Sequence, residues 1–170
     1  MVVVIMGVTG SGKTTIGSQL AAKLDWRYYD ADDFHPPANI EKMSNGIPLD
    51  DSDRRPWLET LRTLIRDALR RNENCVLACS ALKQRYRDYL LIDEQVKLIY
   101  LKGDYDLIQT RLNQRQGHYM APELLASQFD ILEEPECDAH VEIAANADEI
   151  VREIIERLHL SSPLIGSPQE

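Results

Sequence analysis

Five short apolar runs punctuate the chain: VVVIM at 2–6, WRYYD at 26–30, CVLACS at 75–80, VKLIYL at 96–101 and HVEIA at 140–144. Between them the apolar positions switch to helical spacing. Trp57, Leu58, Leu61, Leu64, Ile65, Ala68 and Leu69 recur in one stretch, and Ile150, Val151, Ile154, Ile155 and Leu158 in another. Strands alternating with helices predict an α/β fold with a five-stranded parallel sheet covered by helices. The stretch from His35 to Pro56 breaks this rhythm with four prolines and two Asn/Gly turn signals, and reads as an insert (35–56) facing a substrate. There is no internal repeat or low-complexity block, so one domain over 1–160 is expected, with SSPLIGSPQE at the end read as a disordered tail over 161–170.

The first apolar run leads directly into GVTGSGKT, residues 7–14. Gly7, four further residues, then Gly12, Lys13 and Thr14 is the spacing of a phosphate-binding loop, and the strand before it and helix-type TTIGSQLAAKL after it supply the context that motif requires. Gly10 and Gly12 let the backbone turn successive N–H groups inward, and the helix that follows adds its positive end. The expected ATP-phosphate site is therefore Gly7, Val8, Thr9, Gly10, Ser11, Gly12, Lys13, Thr14 and Thr15. Lys13 would reach the terminal phosphates, and the Thr14 hydroxyl would ligate the Mg2+ that travels with the nucleotide.

Composition narrows the class. At 170 residues the chain is long enough to bury a core as one domain. With 19 basic and 28 acidic residues its net charge is −9, which argues against general binding to nucleic acid or to a membrane surface. An anionic ligand must then meet a local basic cluster. Three cysteines make a disulfide framework unexpected, and with a strand beginning at Val2 and no long apolar run, no signal or membrane span is read. The expectation is a cytoplasmic protein in a reducing compartment.

Ligands of open parallel sheets bind beyond the carboxyl ends of the strands, so those residues carry the candidate chemistry. After the second run come Asp30 and Asp32; an extended backbone would point both carboxylates to one side, about 7 Å apart. One would serve the metal shell and the other a substrate hydroxyl, the alternative being that Asp32 or Asp33 caps a turn. The third run ends in Cys79 and Ser80 rather than a Walker-type Asp, which makes Asp30 the first choice for the magnesium carboxylate. Lys83 and Arg87, four apart, would share a helix face and hold a carboxylate, or lie solvated on the surface. After the fourth run, Arg111 and Arg115 stand one turn apart ahead of a Gly, as in a helix entering a lid at about 114–122. There they would neutralise charge on the transferring phosphoryl group and exclude water, or else lie on an exposed helix.

MGVTGSGKT, DADDFHPPANIEKMSNGIPLDDSDRRPWL, CSALKQRYRDYL, YLKGDYDLIQTRLNQRQGHYM and SQFDILEEP together resemble the gluconokinase family of shikimate-kinase-like P-loop kinases, over nearly the whole chain to about residue 136. The HPPANIEKMSNGIPLDDSDRRPWL block is the specific part. Lacking are the Gly-rich loop that shikimate kinases place after the third strand and the DGFPR-like segment of nucleoside-monophosphate kinases. The resemblance implies a three-layer α/β/α P-loop kinase fold and ATP- and magnesium-dependent phosphorylation of D-gluconate at O6, in a protein that is typically a homodimer. It further implies that Lys13 and the loop amides hold phosphates, that Asp32 faces the substrate hydroxyl, and that Arg111 and Arg115 serve nucleotide and lid. Where family members often show DGD, this chain has Ala31 between Asp30 and Asp32.

The residues agree with that chemistry. An anionic polyol needs a cation for its carboxylate, polar groups for its hydroxyls and a base near one of them. Arg54 or Lys83, with His35, Arg87 and Asp32, are the candidates. Asp53 is ambiguous, since it would equally cap a helix starting around Pro56. A nucleotide-binding regulatory module and a kinase of another small acid such as shikimate stay open, and differ from this reading in turnover on gluconate.

Overall fold

The computed structural model describes residues 1–114 and 122–161. In chain order the elements are β1 (Val2–Met6), α1 (Lys13–Leu24), β2 (Arg27–Asp30), a 3-10 turn (Ala31–Phe34), α2 (Pro37–Ser44), α3 (Asp51–Arg70), β3 (Cys75–Ala78), α4 (Gln84–Leu90), β4 (Val96–Lys102), α5 (Tyr105–Gln114), α6 (Pro122–Ile131), β5 (Ala139–Glu142) and α7 (Ala147–Arg157). The five strands form one sheet in the order β2-β3-β1-β4-β5, with every neighbouring pair parallel. β1 sits at the centre, with β3 on one side and β4 on the other. The chain reverses its direction of winding there, so the crevice at the carboxyl end of β1 is where a ligand is expected.

Alternation along the central strand builds the three layers. Val3 and Ile5 face a core that includes Ile16, Leu20 and Leu24 of α1, Ile108 of α5, Leu125 of α6 and Ile150, Val151 and Ile154 of α7. Val2, Val4 and Met6 face the other way, onto Trp57, Leu58, Leu61 and Ile65 of α3 and Tyr86 and Leu90 of α4. All five residues of β1 are fully buried, as a strand covered by helices on both faces must be. This is the P-loop kinase fold.

Several boundaries move from the sequence expectation. α3 begins at Asp51, five residues before Pro56, because Asp50 and Asp53 form a reciprocal capping box: Asp50 Oδ1 accepts from the Asp53 N–H at 2.9 Å and Asp53 Oδ2 from the Asp50 N–H at 3.0 Å. The ambiguous Asp53 thus takes a capping role, from inside the first turn, while Pro56 lies within the helix. The insert is more regular than its prolines suggest: Pro37 opens α2, a position where a missing N–H costs nothing. Asp32 lies in the 3-10 turn and not on an extended strand, so the same-side argument from strand geometry does not apply to it. Of the expected lid at 114–122, residues 115–121 lie outside the described residues, as does the tail from 162.

Candidate active site

The loop between β1 and α1 has the conformation its glycines permit. Gly10 and Gly12 have φ of +78° and +98°, and a Cβ on Gly10 would lie 2.9 Å from Leu112 of α5, so residue 10 has neither the torsion nor the room for a side chain. Lys13 Nζ donates to the Val8 carbonyl at 2.9 Å, across the loop. The Thr9 N–H is held from α6 by Gln128 Oε1 at 2.7 Å, which ties the loop to the helix that follows residues 115–121. Ser11 is buried with its hydroxyl lacking a hydrogen-bond partner, a polar orphan that marks the loop as shaped for more than its own packing.

Beside this loop, the Thr14 hydroxyl donates to Asp30 Oδ2 at 3.1 Å, and Tyr28 OH donates to the same oxygen at 3.0 Å. The other oxygen of Asp30 accepts from the Asp32 N–H at 3.1 Å, so Asp30 caps the turn that carries Asp32. The protein wall beside Asp32 pushes its carboxyl above the usual range, seconded by Asp30 and opposed by Lys13 and His35. The side chain is nevertheless 81% exposed. Solvent therefore offsets much of that desolvation. His35 is the reverse case: its side chain is 5% exposed, stacked on Trp57 at 4.5 Å and 10°, with Nε2 3.9 Å from Asp32 Oδ1. Burial holds its pKa below the ordinary value, with Asp32 raising and Arg54 lowering it further.

A cation cluster lies on α3 and at the start of α4. The guanidiniums of Arg54 and Arg85 and the ammonium of Lys83 stand 5.7, 5.5 and 5.7 Å from the centre of the Tyr86 ring. Asp51 faces the same group, accepting from Lys83 at 3.2 Å and from Arg85 and Tyr86 OH. Three cations against one carboxylate leave a local positive excess in an acidic protein.

Arg87 does not join this cluster. Lys83 is the residue before the first turn of α4, and Arg87, instead of sharing an exposed face with it, is buried. Its guanidinium donates to the carbonyls of Ala81 at 3.0 Å and Leu82 at 2.9 Å and to Gln84 Oε1 at 2.7 Å. These bonds hold the β3–α4 loop, whose Ala81 has φ of +43°, and they occupy the guanidinium that was expected to face substrate. Arg111 lines an open cavity of about 390 Å³ with Gly10, Gly12, Thr15, Asn146 and Ile150, and donates to the Ile143 carbonyl. Arg115 lies outside the described residues.

The family described as Shikimate kinase matches residues 9–159. A probable gluconokinase of Mus musculus is 43% identical, the match covering 92% of this chain and 97% of that protein. The thermosensitive gluconokinase of Escherichia coli is 48% identical over 79% of this chain and 73% of its own. Among solved structures, a gluconokinase from Sinorhizobium meliloti superposes with a TM-score of 0.83 at 38% identity, covering 92% of this chain and 90% of that one. The chain belongs to the gluconokinase family.

Within this gluconokinase-family site, residues that motif reading passed over include Asp51, Arg85, Gln128 and Asn146. Asp51 and Arg85 are 34 positions apart and Thr9 and Gln128 119 apart, so neither pairing leaves a local spacing to read. Asn146 did leave a signal, since it forms a capping box with Glu149 at the start of α7.

Proposed function

We propose that the protein transfers the γ-phosphoryl group of ATP to the 6-hydroxyl of D-gluconate, giving 6-phosphogluconate. The observation that carries this reading is the juxtaposition of a phosphate-binding loop and the Thr14–Asp30 pair with a turn bearing Asp32 and with a separate cluster of Arg54, Lys83 and Arg85 around Tyr86. An anionic polyol needs a carboxylate site at one end and a base at the other. The gluconokinase relatives support the substrate class.

The roles follow from position. The amides from Gly7 to Thr15 and the Lys13 ammonium hold the polyphosphate, and the cavity lined by Arg111 and Asn146 takes the nucleoside end. Thr14 and Asp30 present hard oxygen donors 3.1 Å apart, a fit for one side of a magnesium shell. Among the described residues no group of three or more His, Cys, Asp or Glu could hold a metal by itself, as suits an ion whose other ligands are phosphate and water. When bound, magnesium would neutralise charge on the phosphate oxygens. Asp32 orients the attacking hydroxyl and accepts its proton late, since phosphoryl transfer has a loose transition state and positioning supplies most of the catalysis. Lys83 and Arg54 pair with the gluconate carboxylate, and Arg115 is assigned to stabilise the transferring group.

A single domain, a homodimer and a cytoplasmic location complete the proposal. No helix among the described residues is long and apolar enough to cross a membrane. The deciding experiment is an ATP-coupled assay across gluconate, its epimers, shikimate and nucleoside monophosphates, with magnesium varied. Turnover is expected on gluconate; preference for another acid would replace the substrate, and ATP binding without turnover on any would leave a regulatory module.

A further inference from the structure

Asn39 is one of only three polar or charged residues that are buried among the described residues. Its amide nitrogen donates to the Asp53 carbonyl at 2.9 Å and lies 3.3 Å from His35 Nδ1. The first bond fixes the amide's orientation, because a carbonyl only accepts and a flipped Asn39 would set two oxygens against each other. The second N–H of the same nitrogen is then left to point at His35. Nδ1 must accept it, so the ring proton of a neutral His35 resides on Nε2, the nitrogen that faces Asp32 Oδ1 at 3.9 Å.

The ring is held in that plane from both sides of the turn. Trp57 stacks on it at 4.5 Å, and Trp57 Nε1 donates to the carbonyl of Ala31, the residue before Asp32, at 2.7 Å. One indole therefore sets both the imidazole and the backbone that carries the carboxylate. Asp32 and Arg54 are the charged groups bearing on the ring, and with burial they leave it below its ordinary pKa, hence neutral at physiological pH.

We propose that His35 is a positioning residue for Asp32: its Nε2–H, its tautomer set by Asn39, donates to the Asp32 carboxylate when that exposed side chain turns toward the ring, and leaves the other carboxylate oxygen aimed at the substrate hydroxyl. This deepens the kinase reading and rests on it for the identity of the hydroxyl. At 3.9 Å the two atoms are not hydrogen-bonded, and a shift of about 1 Å by the exposed Asp32 side chain brings them to bonding distance. Removing the donor misplaces the base without touching either ligand.

The test compares two amide substitutions. Gln places its N–H near the position of Nε2, whereas Asn reaches only that of Nδ1. His35→Gln is therefore expected to retain kcat about 10-fold to 100-fold above that of His35→Asn, the scale on which small misplacement of a reacting group is felt. KM for gluconate and for ATP should stay within about 2-fold in both. Equal kcat values, or a loss falling on the gluconate KM, would overturn the proposal and make His35 a substrate contact. Long-range proton–nitrogen correlation on the wild-type protein labelled at histidine reads the tautomer with no substrate present: Nε2–H is expected, and Nδ1–H would refute the assignment whatever the activity. Asn39→Leu should let the Nδ1–H form appear in that spectrum. If the substrate panel identifies another acid, the substrate assignment falls and the Gln-to-Asn ratio is read on that acid instead.

Discussion

Arg87→Met distinguishes a guanidinium that binds substrate from one that builds the loop. Methionine keeps the apolar stem of arginine in the same buried slot but ends short of the guanidinium, removing all of its donors. Ala81 O then loses its bond from Arg87, whereas Leu82 O keeps a second donor, the Glu133 N–H at 2.9 Å. One orphaned buried carbonyl costs about 1–3 kcal/mol, and the weakened bond at Leu82 together with the loss of the Gln84 contact adds a little over 1 kcal/mol, giving about 3 kcal/mol in all. For a chain of this size each kcal/mol lowers the melting midpoint by about 2–4 °C, so a drop of about 9 °C is expected by calorimetry or circular dichroism. Arg87→Lys, able to reach one carbonyl, should lose about half as much. Because the loop leads into Lys83, gluconate KM should rise only modestly at a temperature where the variant is folded. A variant that melts within about 2 °C of wild type while its gluconate KM rises more than about 10-fold would refute the structural role and return Arg87 to the substrate site.

Lys13→Ala should cut phosphoryl transfer by about three orders of magnitude or more in a variant whose circular dichroism matches wild type; a folded variant with comparable turnover would end the phosphate-loop reading. Asp32→Asn keeps the shape and one acceptor oxygen but loses the charge, so kcat should fall by about 10² to 10⁴ with little change in gluconate KM; near-normal kcat at saturating magnesium would leave Asp32 as a turn residue. Lys83→Ala or Arg54→Ala should raise the gluconate KM far more than the ATP KM, and the opposite selectivity would move that residue to the nucleotide side.

What could be read from the sequence was what neighbouring residues decide among themselves. The phosphate loop needs a strand, glycines at fixed offsets and a helix, all within residues 2–24, and every part stands where the spacing predicts. The strands of the sheet were legible because apolar runs bounded by turn residues form strands almost wherever they lie, and only their ends moved, as with β5, which opens at Ala139 rather than His140. Arg87 lies off the face its spacing predicts for the complementary reason. Its spacing from Lys83 is correct for a shared helix face, but α4 begins one residue after Lys83, and the buried side of that short helix is set by carbonyls of the preceding loop. Nothing in the order of the residues announces where a strained loop will need donors.

The cation cluster and the Asn39–His35 pair extend this point toward function. Arg54 sits one turn ahead of Leu58 and two ahead of Leu61 on a helix whose inner face packs on β1, so the register of an apolar stripe decides where that guanidinium emerges. Asp51 sits at the first position of the same helix, because the capping box at Asp50 and Asp53 starts α3 five residues ahead of Pro56. Had the helix begun at the proline, Asp51 would lie on a loop with no fixed relation to Lys83 and Arg85. A cap that stabilises a helix by about 1 kcal/mol thereby also fixes the geometry of an ion cluster some thirty residues away in the chain. Trp57 couples the two ends of this arrangement: its ring is part of the core beneath β1, its N–H holds the Ala31 carbonyl, and its face supports His35. Packing that looks purely structural in the sequence is therefore what ties the helix carrying Arg54 to the turn carrying Asp32.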